Sequence, residues 1–229
     1  MAAARSGSLG AVYVWEAPVR LWHWVMALAM VVLAVTGYFI GSPPPSVPGE
    51  AWDNFLFGTI RFIHFAAGYI FAIFFILRVY WAFVGNTFAR EIFSVPLKML
   101  QADWWRGLIN QGLYYGFIKR EGGDYEGHNP LAMAAMFFMY VLGTVFMICT
   151  GFALYGEGAG MGSWQHKIFS SWLLPLLGGS QAVHTWHHLA MWYLIIFTLV
   201  HLYMVVREDI FSKVTVISTM INGWRVPKP

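Results

Sequence analysis

Cysteine is nearly absent, with Cys149 the one thiol in 229 residues. No intrachain disulfide can form, no cysteine-ligated iron–sulfur cluster can be held, and without a C-x-x-C-H run no haem can be attached covalently. Cys149 falls inside an apolar run, where it is expected to serve packing. Charge is scarce too, at 11% of residues. Nothing in so sparse a set suggests nucleic-acid binding, and no stretch has the composition of a sizeable soluble domain. There is no internal repeat and no low-complexity tract. A cleavable signal is also missing: Gly41-Ser42-Pro43-Pro44-Pro45, rather than a small-x-small site, follows the first apolar run. That run is too long for a signal-peptide core, so it is expected to stay in the mature protein.

What remains is overwhelmingly apolar, 59% of residues, with a mean hydropathy of +0.58. Four runs reach the roughly 20 residues that cross a bilayer: Trp22 to Ile40, Ile60 to Val84, Leu131 to Tyr155 and His188 to Val206. The expected fold is an all-α integral membrane protein, a four-transmembrane-helix bundle forming a single membrane domain over residues 1–229. Val95 to Lys119 mixes Trp104, Trp105, Tyr114 and Tyr115 with Lys98, Arg106 and Lys119. It predicts a helix lying on the cytoplasmic membrane surface, either a plain amphipathic connector or a partner surface. Gly122-Gly123-Asp124 should end it. Ile168 to Leu177, interrupted by Pro175, is too short to span and predicts an interfacial or re-entrant piece.

The basic residues set an orientation. Arg5, Arg20, Arg78, Arg90, Lys98, Arg106, Lys119, Arg120, Arg207, Lys213, Arg225 and Lys228 fall on one side, and only Arg61 and Lys167 by the other loops. By the positive-inside rule both termini should be cytoplasmic. The loops Gly41 to Thr59 and Gly156 to Thr185 should face the opposite, periplasmic-type compartment.

Histidines occur at matched depths. His187 and His201 are fourteen residues apart, about 21 Å along a helix and about 40° short of four full turns, hence on one face. His64 starts the second run at the depth of His187, and His23 starts the first at the depth of His201. The pairs His64 with His187 and His23 with His201 would each supply two axial nitrogens to a non-covalent b-type haem. A single intramembrane histidine would instead suggest a helix–helix hydrogen bond. His188 competes with His187 but points nearly opposite to His201, and His184, just before the span, suits a haem propionate or an interface. His166, in the same outer loop, is expected to be solvated. Arg78, fourteen residues after His64, would pair with a propionate of the cytoplasmic haem or snorkel to the interface. Gly37, Gly68, Gly143 and Gly151 would admit a flat macrocycle, or pack helices.

The segments Tyr13-Val14-Trp15-Glu16-Ala17-Pro18-Val19-Arg20-Leu21-Trp22-His23-Trp24, Gly127-His128-Asn129-Pro130-Leu131, His184-Thr185-Trp186-His187-His188 and Arg207-Glu208-Asp209-Ile210 together resemble the cytochrome b subunit of membrane-bound NiFe-hydrogenases, over nearly the whole chain. A histidine pair alone would fit the related formate dehydrogenase cytochrome equally. The resemblance implies two b haems with His23, His64, His187 and His201 as axial ligands, and leaves His184 and His188 less settled than helix geometry does. It implies anchoring of periplasmic hydrogenase small (iron–sulfur) and large (NiFe) subunits, and electron delivery to membrane quinone in what is expected to be a higher oligomer of the complex. The shortage of cysteine agrees, because this chain cannot split hydrogen alone. His128 and Asn129, with Arg20, Glu208 and Asp209 in the same layer, suit a quinone site. Asn129 and Pro130 suit a helix start equally well. The rival functions are a formate dehydrogenase or other reductase cytochrome and, from another class, a non-haem anchor or proton channel.

Overall fold

The computed structural model describes residues 10–45, 50, 52, 54–211 and 215–226. Arg5, Lys213 and Lys228, used for the orientation, and part of the loop after the first span lie outside these residues. Helix α1 is Ala17–Gly41, α2 is Leu56–Val84, α3 is Ala102–Tyr115, α4 is Pro130–Ala159, α5 is Ser171–Leu177, α6 is Ser180–Phe211 and α7 is Val216–Asn222. Strands β1 (Val12–Tyr13) and β2 (Trp224–Arg225) pair antiparallel, Val12 opposite Arg225. Helices α1, α2, α4 and α6 are long and apolar enough to cross a membrane, so the chain is an all-α membrane protein. Leu28, Phe62, Ile76 and Leu199 on these helices are well exposed. In lipid that is the side to which apolar groups belong.

Each spanning helix is longer than its apolar run. α1 starts at Ala17, with Pro18 in the first turn where no N–H is needed, and Pro43-Pro44-Pro45 follows its end. α4 starts at Pro130 with Asn129 as its cap: the Asn129 Oδ1 accepts from the Ala132 N–H at 2.8 Å. Its stretch Met136–Val141 is π-helical, one extra residue in the turn. α6 starts eight residues before its apolar run, after Gly178 and Gly179, whose φ of 96° and 101° suit glycine.

The surface helix differs from expectation. A short helical turn at Val95–Lys98 is separated from α3 by an extended Gln101, and the Trp105 indole donates to the Met99 carbonyl at 2.7 Å across the break. α3 ends at Tyr115, before the glycines, because Phe117 adopts a left-handed φ of 62° and the Ile118 N–H returns to the Leu113 carbonyl at 2.9 Å. That closure satisfies an end carbonyl without glycine.

The chain forms two compact units. The first is Trp22–Arg78 with Phe138–Thr198; the second comprises the remaining described residues. In the first, the outer piece His166–Ser170, π-helical, and α5 lie against the end of α4. A Cβ at Gly156 would lie 2.6 Å from the His166 nitrogen, and the Ser170 hydroxyl donates to the Ala153 carbonyl at 2.6 Å. In the second, Val14, Trp15, Val19 and Ala89 form a buried cluster. Glu16 accepts from the Trp81 indole at 2.8 Å and the Asn86 N–H at 2.9 Å, tying the start of α1 to the end of α2.

Candidate functional site

The first unit encloses a cavity of about 920 Å³, within the range of about 300–1,000 Å³ typical of small-molecule and cofactor sites. Met30, Leu33, Phe65, Met147 and Leu194 supply apolar walls, and His64, His184, His187 and His188 all line it. Phe65 and Tyr155 pack edge to face at 4.9 Å, as do Tyr69 and Phe152 at 5.1 Å. The Gln165 amide donates to the Tyr69 hydroxyl at 2.7 Å, joining this aromatic wall to the outer loop.

The His64 Nδ1 lies 2.9 Å from the Thr36 hydroxyl on α1, and the His187 Nδ1 2.8 Å from the Thr150 hydroxyl on α4. Glycine follows each threonine. A Cβ at Gly37 would stand 3.2 Å from the His64 Cε1, and one at Gly151 3.3 Å from the His187 Cε1. The two imidazoles therefore rest edge-on in notches that larger residues would fill. An apolar cavity of this size with two anchored imidazoles fits a bis-histidine haem.

The other two histidines are distinguished by their bonds. The Trp192 indole donates to the His188 Nε2 at 3.1 Å, which occupies the lone pair a metal would need. His184 lies within α6 rather than before it, and its Nδ1 donates to the Ser180 carbonyl at 3.0 Å. That leaves its Nε2 available at the cavity. Arg61, one turn before His64, also lines the cavity, and its guanidinium sits 5.8 Å from the Phe65 ring centroid. In the sequence Arg61 stands out only as one of two basic residues on the sparse side. A cation one helical turn from a candidate ligand was the available signal.

His201 is half-buried on the same uninterrupted α6 as His187, and His23 is half-buried on α1. Arg78 is buried on α2 and is not among the residues lining the cavity. Of the glycines, Gly37, Gly68 and Gly151 line it. Gly143 is packed against Leu194 and Tyr193. His166 is half-buried in its π-turn rather than solvated, because that turn is docked on α4.

In the second unit Glu91 organises the Gly127-His128-Asn129 loop. Its carboxylate accepts from the His128 backbone N–H at 2.9 Å and lies 3.2 Å from the His128 Nδ1. It occupies the place a Cβ on Gly127 would take. Trp15 packs on the His128 ring with centroids 4.9 Å apart. Arg225 donates to the carbonyls of Glu126 and, at 2.9 Å, Gly127. Burial lowers the pKa of its guanidinium, with Glu91 and Glu208 opposing. Besides capping α4, Asn129 donates through its amide to the Tyr115 hydroxyl at 2.9 Å. Burial, reinforced by the Glu208 charge, raises the pKa of that phenol. Arg20 donates to the Ile221 carbonyl, and Glu208 lies 3.7 Å from Arg207. The Arg207 guanidinium is surrounded by Tyr114, Tyr115, Phe117 and Phe211 at 4.7 to 5.4 Å. Asp209 accepts from the Ile217 N–H at 3.2 Å.

Residues 14–223 match the family model described as prokaryotic cytochrome b561. A protein of Azotobacter vinelandii named probable Ni/Fe-hydrogenase B-type cytochrome subunit is 59% identical over 95% of this chain and 90% of its own length. One of the same name from Cupriavidus necator is 57% identical over 99% of this chain and 92% of its own. The probable Ni/Fe-hydrogenase 1 B-type cytochrome subunit of Escherichia coli K12 is 49% identical over 94% and 91%.

Proposed function

Because this chain belongs to the prokaryotic cytochrome b561 family, as a hydrogenase B-type cytochrome subunit, we propose that it holds two b-type haems and conducts electrons from hydrogen oxidation to membrane quinone. The observation that carries the reading is the single cavity shared by His64 and His187, each imidazole anchored through Nδ1. A haem held by these two imidazoles would supply one-electron transfer. His64 and His187 would hold one haem, with Arg61 offered to its propionates and His184 able to donate to one from Nε2 only as the imidazolium, its Nδ1–H being given to the Ser180 carbonyl. On the matched depths in the sequence, His23 and His201 would hold the second, and Arg78 would pair with a propionate or snorkel to the interface.

The outer loops, with Lys167 and the docked Ile168 to Leu177 piece, would receive the iron–sulfur small subunit of a periplasmic hydrogenase whose large subunit carries the nickel–iron centre. Both termini would be cytoplasmic. At that face quinone would meet His128, with Asn129, Arg20 and Glu208 shaping its surroundings. The bonds of Asn129 and Arg20 suit a holding role, whereas His128, as an imidazolium held by Glu91 through Nδ1, would donate from Nε2 to a quinone carbonyl. Hydrogen oxidation outside and proton uptake inside would make the cycle electrogenic.

The test is haem analysis of the purified complex. His64→Ala and His187→Ala should each reduce haem from two to one per chain and lose the same spectral component, leaving the other. Loss of different components would overturn the pairing. Absence of any b-type band in the parent protein would point instead to an anchor or channel. Co-purification of formate dehydrogenase subunits would favour the related reductase.

A further inference from the structure

We propose that Thr36 and Thr150 are positioning residues that hold His64 and His187 in the Nδ1–H tautomer, so that both present Nε2 to one iron. The proposal rests on the reading of these histidines as an axial pair. A threonine hydroxyl has a single proton to give. In Thr36 it goes to the Val32 carbonyl at 2.6 Å, and in Thr150 to the Phe146 carbonyl at 2.8 Å, each one helical turn back. With that proton committed, the hydroxyl oxygen meets Nδ1 as an acceptor, and the imidazole is the donor. The Nε2 lone pair is then exposed. A fixed tautomer distinguishes a ready ligand from one that must first move a proton.

The same arrangement occurs twice on unrelated stretches of chain. Thr36-Gly37 on α1 receives His64 of α2, and Thr150-Gly151 on α4 receives His187 of α6. In each case the hydroxyl takes Nδ1 while the glycine admits the neighbouring Cε1, so two adjacent ring atoms are held and the imidazole plane is set. His188 makes the contrast: its Nε2 is the atom that accepts, from Trp192, so its lone pair is taken rather than presented.

An N–H donated away from the metal makes an imidazole a stronger donor to it and orients the ring. Thr36→Val and Thr150→Val, isosteric but without the oxygen, should each raise the midpoint potential of the haem that His64→Ala removes. They should also weaken its retention, read as faster transfer to an excess of apo-haem-binding protein, since loss of such a partner lowers metal affinity about 10- to 100-fold. The other haem should keep its potential and serves as the folding control. Thr36→Ser and Thr150→Ser keep the oxygen and should restore both properties. The proposal is overturned if the valine variants match the parent in potential and haem transfer, or if the serine variants fail as the valine variants do. If His64→Ala and His187→Ala retain both haems, the axial pair itself is wrong, a distinct result.

Discussion

At the scale of single residues, what decides whether an imidazole can be a ligand here is the space and the bond given to it by another helix. Even a single Cβ at Gly37 or Gly151 would press on the ring, at 3.2 Å from the His64 Cε1 or 3.3 Å from the His187 Cε1. Gly37→Val and Gly151→Val should therefore displace His64 or His187 and lower haem from two to one per chain, read by alkaline pyridine spectra, whereas alanine should have a smaller effect. Asn129 is explained by its helix: removing a capping side chain costs about 0.5–2 kcal/mol, so Asn129→Ala should lower the thermal midpoint of the detergent-solubilised protein, and Asn129→Asp should largely preserve it. The histidines were legible because a fourteen-residue spacing on a helix is geometry. Thr36 and Thr150 were not, because a threonine in an apolar run usually bonds its own helix, and these do that as well. Arg61 was read only as charge.

At the scale of elements, continuity of α6 is the premise of the histidine pairing, and its 32 residues contain no break. One alanine inserted after Phe197 would rotate His201 by about 100° relative to His187. Haem content should fall to one per chain, with the His64 and His187 component retained; two haems with parental spectra would refute the shared-face argument. The spans themselves were plain from hydropathy. Their ends were not, since hydropathy registers the lipid-facing length while α1 and α6 continue helical through the polar layer at Ala17 and Ser180. That is why His184, expected before a span, is on one. The π-helical turn in α4 and the break at Gln101 were equally hidden, since neither requires an unusual residue.

For the whole molecule, orientation rests on where basic residues fall, and it assigns which face meets which partner. A reporter enzyme active only outside the cytoplasm should be inactive when fused after Pro229 and active when fused within the outer loop at Gly160; the reverse pattern would exchange the proposed electron entrance and exit. The sequence alone determined that this chain lives in a membrane, spans it four times, has too few cysteines to hold an iron–sulfur cluster and carries histidines at repeated depths, because length, hydropathy and helical pitch act along the chain. Which nitrogen of each histidine is presented, why His187 and not His188 suits a metal, and that Arg61 borders the cavity were decided by the tertiary structure. For His64 and His187 those properties depend on a hydroxyl and a missing Cβ brought from another helix, which only packing makes neighbours, while the Trp192 indole that takes His188 stands one turn along the same helix.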